Sequence, residues 1–431
     1  MMQRLSASDP DFAKRFDRLV KDRRESGDDV SQDVRGILAQ VRDAGDRALE
    51  DYTQRFDGHS LTADLASWRI TPRQCEAAWD TLDPSLRDAL TLAADRIRAY
   101  HEAQLPQDRD YRDDAGVRLG AKWRPVDAAA LYVPGGRASY PSSLLMNAIP
   151  ARVAGVERIV VATPTPKGLS NELVMAAAHL CGIDEIWRIG GAQAVGALAY
   201  GTSRIRPVDV ITGPGNAWVA EAKRQLYGTV GIDMVAGPSE ILVIADKDSD
   251  PRWLAADLLS QAEHDPAAQS ILVTDDTLLA GLVQDEIGME LNQLSTERVA
   301  RQSWDNHGTI IVVEKLADAI PLANRLAAEH VELSVADPEP FLDGIRHAGS
   351  IFIGRHTPEA VGDYVAGPNH VLPTGRRARF SSGLSVTDFM KRTSFLESGP
   401  EALAAIGPAA ARLAHAEGLP AHARSIELRL K

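Results

Sequence analysis

Apolar residues recur every three or four positions through the first hundred residues. In DFAKRFDRLV, Phe12, Phe16, Leu19 and Val20 fall at helical spacing. The next stripe joins Val34, Ile37, Leu38, Val41, Ala48, Leu49, Tyr52 and Phe56, with charges on the opposite side, and predicts amphipathic helix. Asp83-Pro84 interrupts a third helical region, roughly residues 72 to 104, because the residue before a proline avoids the helical backbone.

From about residue 118 the pattern changes to short β-branched runs separated by amphipathic stretches. The runs are Ile159–Val161, Ile186–Ile189, Val208–Ile211, Ile241–Ile244, Ile271–Val273, Ile310–Val313 and Ile351–Ile353. This alternation predicts βαβ units, with parallel strands buried between helices. Such a number of runs calls for two globules, with Ala236-Gly237-Pro238 as a seam. The expected fold class is α/β: two Rossmann-like three-layer α/β domains with an incomplete dinucleotide fingerprint, N-terminal helices and a small C-terminal helical domain. The expected division is residues 1–24 as a helical segment, 25–131 with 237–383 as a metal and catalytic domain, 132–236 as an NAD-binding domain, and 384–431 as the C-terminal domain.

Composition narrows the function. The balance of 47 basic and 60 acidic residues leaves a net charge of −13, which repels nucleic-acid phosphates and anionic lipid. The N-terminus lacks the apolar segment of a secretory signal, and no apolar run is long enough to span a bilayer. Cys75 and Cys181 match no metal spacing and read as buried free thiols, as suits a reducing compartment. The expectation is a soluble, cytoplasmic protein with no nucleic-acid or membrane partner.

Four stretches carry candidate chemistry. In LAADLLSQAEHDP, Gln261 and His264 are three apart near the C-terminal end of a helix, so both project from one face. In NRLAAEHVELSV a helix passes into a strand at Glu329-His330. His330 and Glu332 would share one face there, and a carboxylate beside an imidazole suits general acid/base work. GDYVAGPNHVLPTG places Asp363 and His370 in a Gly/Pro-rich loop, and HAEGLPAHARS carries His415, Glu417 and His422 around a break at Gly418 and Pro420. Each stretch alone also reads as ordinary polar surface or turn. Together Gln261, His264, Asp363 and His422 offer two nitrogens and two oxygens, an acceptable set for zinc, although spacing does not select it over other sets. Gly190-Gly191-Ala192-Gln193 and Gly213-Pro214-Gly215-Asn216 each follow a strand and precede a helix, so their N–H groups could face a pyrophosphate. Neither matches G-x-G-x-x-G, and turn chemistry is the alternative. Tyr132 precedes another glycine pair and could stack on a planar ring, or pack in the core.

These blocks, in this order, resemble the histidinol dehydrogenase family: YVPGGRASYPSS, GGAQAVGALAYGT, GPGNAWVAEAKRQLYG, DMVAGPSEILVIAD, DLLSQAEHD, AEHVEL, GDYVAGPNHVLPT and AEGLPAH. They run from about residue 120 to the C-terminus. The resemblance implies that Gln261, His264, Asp363 and His422 bind one zinc ion per subunit and that Glu329 and His330 are the catalytic acid/base pair. It implies a substrate site of Ser239, Gln261, His264, His330, Asp363, His370, Glu417 and His422. Tyr132, Gln193 and Asn216 would contact NAD. It further implies a homodimer with a shared active site, in which the C-terminal histidine reaches the partner subunit's metal. The implied reaction takes L-histidinol to L-histidine through L-histidinal, reducing two NAD, as the last step of histidine biosynthesis. In it His330 removes the hydroxyl proton and Glu329 activates water, while the negative Glu417 suits a cationic amino alcohol. The alternatives are a related zinc and NAD enzyme for another small polar alcohol such as a sulfonated diol, a zinc hydrolase using Glu329, and a non-catalytic scaffold.

Overall fold

A computed structural model describes residues 2–22, 30–135, 140–235 and 237–430. Its strands, in chain order, are β1 (Gln3–Ser6), β2 (Arg69–Ile70), β3 (Arg109–Arg112), β4 (Arg118–Pro125) and β5 (Ala128–Tyr132). They continue with β6 (Arg158–Ala162), β7 (Glu185–Trp187), β8 (Val210–Thr212), β9 (Gly231–Ile232) and β10 (Glu240–Ala245). The last five are β11 (Gln269–Thr274), β12 (Thr309–Val312), β13 (His330–Ser334), β14 (Ser350–Ile353) and β15 (Met390–Glu397).

Two six-stranded sheets organise the chain. The first runs β1-β12-β11-β10-β13-β14, all parallel, and the second runs β2-β7-β6-β5-β8-β9, parallel except for the edge strand β2. Numbered within each globule, five strands of each sheet follow the order 3-2-1-4-5, the doubly wound pattern. Each sheet adds one N-terminal strand at its edge beside the third. The switch points lie between β10 and β13 in the first sheet and between β5 and β8 in the second.

Apolar side chains on alternating residues supply both faces of each sheet. In the first, Leu242, Ile244, Ile271 and Val273 pack with Phe16, Leu19 and Leu326, while Ile241, Val243, Leu272 and Ile310 pack with Leu258, Val283 and Trp304. In the second, Ala129, Leu131 and Ile159 face Ile97 and Leu145, while Ala130 and Val160 face Ile37, Leu49 and Leu198. Two three-layer α/β sandwiches result, as the alternation of runs predicts.

Each of the seven β-branched runs overlaps a strand, with Ile189, Val208 and Val313 just beyond the strand ends, and helices Pro72–Thr81 and Pro84–Glu102 meet at the Asp83-Pro84 break. Three expectations need correction. Residues 2–22 begin with a strand, β1, which adds to the first sheet. The helices Ser31–Ala44 and Asp46–Asp57 pack on the second sheet, and the helix Pro84–Glu102 packs on it too while Arg96 donates to the Val365 and Ala366 carbonyls. The segment after Gly383 is not purely helical, because β15 pairs antiparallel with β4 along eight positions before helices Pro400–Ala416 and Pro420–Glu427. That ribbon has no buried face, β15 being mostly exposed and β4 mostly half-buried, so it lacks the apolar alternation that reveals a strand. Of the expected seam, Ala236 lies outside the described residues.

Glycines test how tightly this frame is built. A Cβ on Gly349, just before β14, would lie 2.5 Å from the Glu329 carbonyl oxygen, whereas one on Gly288 in helix Thr277–Leu291 meets nothing within 4 Å. Gly349→Ala should destabilise by ~1–3 kcal/mol through overpacking. Gly288→Ala should stabilise by ~0.5–1 kcal/mol by removing backbone freedom from a helix. Paired thermal melts check both signs, and equal effects would disprove the contrast.

Candidate active site

The first sheet gathers polar residues at the amino ends of its switch-point strands. The helix Ala319–Leu326 ends at Ala327, which takes the left-handed conformation at φ 45° and turns the chain into β13 within three residues. That turn sets Glu329 and His330 beside the start of β10, with His330 paired to Ile241. Both are buried. Every residue of β13 is buried, so the face carrying His330 and Glu332 looks into protein and not toward solvent.

His330 Nδ1 lies 3.2 Å from the Glu240 carbonyl oxygen and 3.0 Å from Gln261 Oε1. Two acceptors on one nitrogen place the proton on Nδ1 of a neutral ring and leave the Nε2 lone pair available. Among the described residues Nε2 has no hydrogen-bond partner, and it sits 3.4 Å from Glu359 Oε1, which also has none. Burial pushes His330 down to about 4, against the opposing pull of Asp363. A histidine in that state is a base at neutral pH.

Acidic groups surround it. Glu329 Oε2 accepts from the Glu240 N–H at 3.0 Å and lies 3.8 Å from His330 Nδ1. Burial, reinforced by the charges of Glu240, Asp363 and Glu359, holds Glu329 well above the usual carboxylate range. Glu359 and Glu332 are likewise raised, chiefly by burial, and Glu332 hydrogen-bonds to Asp257. These carboxyls cannot all ionise at such close range and retain protons among themselves. Glu240 itself is anchored from below: Arg376 donates to its Oε1 at 2.9 Å, to Gln269 Oε1 at 2.8 Å and to the Leu19 carbonyl at 3.2 Å.

Among the described residues, His330, Glu359 and Asp363 offer ligand atoms all within 4.8 Å of one another. Asp363 was expected there; Glu359 was not. The two sit four apart on the short helix Glu359–Tyr364, a spacing that puts both carboxylates on one face and was the available signal. Of the other expected ligands, Gln261 is buried against His330. His264 lies one residue past the helix C-cap and is exposed, so the two do not share a helix face, yet His264 is close enough to act on both His330 and His370 electrostatically. The cluster of one imidazole and two carboxylates, His330, Glu359 and Asp363, includes the orphaned buried His330 Nε2 and Glu359 Oε1, a donor set that fits zinc. His422, on Pro420–Glu427, and Glu417, at the end of Pro400–Ala416, are both exposed. Neither makes a described contact with this cluster. His370 packs at the rim, its Nδ1 3.0 Å from the Asp363 carbonyl and its Nε2 3.4 Å from Ser143 Oγ. Ser239 immediately precedes β10 and is half-buried.

The other expected residues gather at the carboxyl ends of the second sheet. Tyr132 ends β5 with its ring in the core, and its hydroxyl accepts from the Gly191 N–H at 3.0 Å. What it offers the loop is a hydroxyl, not a face for stacking. Gln193 is buried and folds its amide over Gly191, which has φ 67°. Asn216 is exposed, and its Oδ1 caps the helix Ala217–Leu226 through the Val219 N–H at 3.2 Å. Both Gly-rich loops thus aim helix N-termini at the same end of the sheet, where a phosphate would be favoured. Cys75 and Cys181 are free, and burial pushes their thiols up to about 11 and about 12, far from nucleophile chemistry.

The histidinol dehydrogenase family profile matches residues 20–430. The histidinol dehydrogenase of Zymomonas mobilis is 60% identical over 430 residues, covering 100% of both chains. That of Agrobacterium fabrum is 58% identical over 426 residues, covering 99% of this chain and 98% of its own. The crystal structure of histidinol dehydrogenase from Elizabethkingia anophelis superimposes with a TM-score of 0.94 at 34% identity, covering 100% of this chain and 98% of that one.

The buried imidazole dictates a pH dependence. His330 accepts a proton only when neutral, and burial favours the neutral form, so activity should persist as pH falls through the ordinary histidine value of 6.5. The acid limb of kcat/KM should lie below that value and disappear in His330→Asn. A limb at or above pH 6.5 would contradict the assignment of His330 as a buried base.

Proposed function

The chain belongs to the histidinol dehydrogenase family, and on that premise we propose that it carries L-histidinol through L-histidinal to L-histidine, the last step of histidine biosynthesis. NAD is the hydride acceptor in both oxidations, and one zinc ion is held per subunit. The observation that carries this reading is a buried imidazole whose proton is committed to Nδ1, with its Nε2 facing Glu359 and Asp363 beside Gln261.

Gln261, His264 and Asp363, with His422 of the partner subunit, would hold the zinc. When bound, that ion supplies Lewis acidity and a fixed point for substrate nitrogens. His330 Nε2 takes the proton from the carbinol hydroxyl as hydride leaves for NAD. Glu329, raised by burial, exchanges a proton with the water that hydrates the aldehyde. The second hydride transfer then yields the carboxylate. Tyr132, Gln193 and Asn216 bind the dinucleotide. The negative Glu417 favours a cationic amino alcohol and disfavours a sulfonated one.

The exposed positions of His422 and Glu417 support a homodimer whose site is completed across subunits. No helix among the described residues is long and apolar enough to cross a membrane.

The decisive measurement is NADH formed per L-histidinol consumed. A four-electron oxidation gives about two; a value near one, with free aldehyde, would overturn the reading. A second test separates the subunits. His264→Ala and His422→Ala should each be inactive and zinc-poor, yet random mixing should restore about one quarter of the wild-type rate, since half the dimers then carry one intact site. No recovery after verified subunit exchange rules out the shared site.

A further inference from the structure

A buried ion pair stands behind the cofactor loop. Lys223, on the helix Ala217–Leu226, and Asp233, just after β9, meet with side chains only 3% and 1% exposed. Lys223 Nζ also donates to the Gly213 carbonyl at 3.0 Å, and the Gly213 N–H donates to Asp233 Oδ2 at 2.9 Å. Asp233 Oδ1 takes the Met234 N–H at 2.7 Å. Both polar groups of one glycine are therefore gripped by one pair of opposite charges.

Gly213 follows the switch-point strand β8 and opens the loop that ends at Asn216. Its φ is 109°, and a Cβ there would lie 2.2 Å from the Tyr132 carbonyl oxygen. The loop is squeezed onto the end of β5 on one side and clamped by the pair on the other. A buried ion pair gains little over well-packed apolar residues, since desolvation consumes most of the attraction. What apolar residues cannot do is supply a donor to a carbonyl and an acceptor to the adjacent N–H at once. The identifiable contacts of Lys223 Nζ are the Asp233 carboxylate and the Gly213 carbonyl, so its charge is neutralised in place and it serves geometry, not phosphate attraction.

We propose that Lys223 and Asp233 are positioning residues for the dinucleotide: they hold the Gly213–Asn216 loop in its binding shape before NAD arrives and thereby set NAD affinity. This rests on the assignment of that loop to NAD. Preorganisation of this kind acts on binding more than on chemistry.

The test uses the zinc-loaded dimer with Lys223→Met, Asp233→Asn and the double variant. Each should raise the KM and the Kd for NAD by about tenfold or more, with kcat at saturating NAD within about threefold and with zinc content and the KM for L-histidinol unchanged. Where a single variant leaves an uncompensated buried charge and fails to fold, the double variant decides. A folded variant with unaltered NAD affinity, or one that loses kcat alone, overturns the proposal. Asn216→Ala and Gln193→Ala serve as controls. If they weaken NAD while the Lys223 and Asp233 variants do not, only the clamp is wrong; if none of them does, the cofactor assignment of the loop falls as well.

Discussion

The placement of one imidazole proton is the constraint around which the buried acidic cluster is arranged. His330 starts a strand buried on both faces, where an unsatisfied polar group costs about 1–3 kcal/mol. Its Nδ1 is satisfied twice, by the Glu240 carbonyl and by Gln261 Oε1, and its Nε2 is left facing acids. That asymmetry makes it a base. It depends on β10 staying where it is, and β10 is held at its start by the buried Arg376–Glu240 pair, which also reaches Gln269 and the Leu19 carbonyl. Removing one partner of such a pair costs about 3–5 kcal/mol, so the support for the dyad belongs to the most tightly constrained part of the structure.

The same strand order is used twice, at opposite ends. In the second sheet the Gly-rich loops lie at the carboxyl ends of the switch-point strands, where helix N-termini point and anions are favoured. In the first sheet the dyad lies at the amino ends of β10 and β13, beside the C-terminal ends of the helices Pro251–Ala262 and Ala319–Leu326. Helix C-termini carry partial negative charge, which with the surrounding carboxyls suits a cation. The carboxyl end of the first sheet is already closed. Asp246 there binds Arg355 and the Ala336 N–H at 2.7 Å, while Ser249 Oγ donates to the Ser334 carbonyl at 2.6 Å. One topology therefore supplies one end whose helix N-termini favour anions and another whose helix C-termini and carboxyls favour cations.

The buried carboxyls follow from this arrangement. Asp257, Glu332 and Glu359 lie on a helix, a strand and a second helix that all border this acidic end, and burial raises each of them. Such a set is costly without a cation and is stabilised by one.

Periodicity and punctuation in the sequence determined the repeated strand–helix alternation, the break at Asp83-Pro84 and the helical hairpin around Gly418 and Pro420, because these depend on neighbours along the chain. The Gly-rich loops and the Glu329-His330 junction were legible for the same reason. Tertiary structure alone decided the rest. The alanine-rich β5 carries no β-branched run, and β4 and β15 have no fully buried face, so none of them displays the pattern of a strand. Glu359 and Arg376 look like surface charges until folding encloses them with partners more than twenty residues away. The helices before β5 could have covered either sheet, and only the fit of Ile37, Leu49 and Ile97 against the second sheet settles which. Local backbone preference is written in adjacent residues; burial and the partner of a charge are properties of the assembled core.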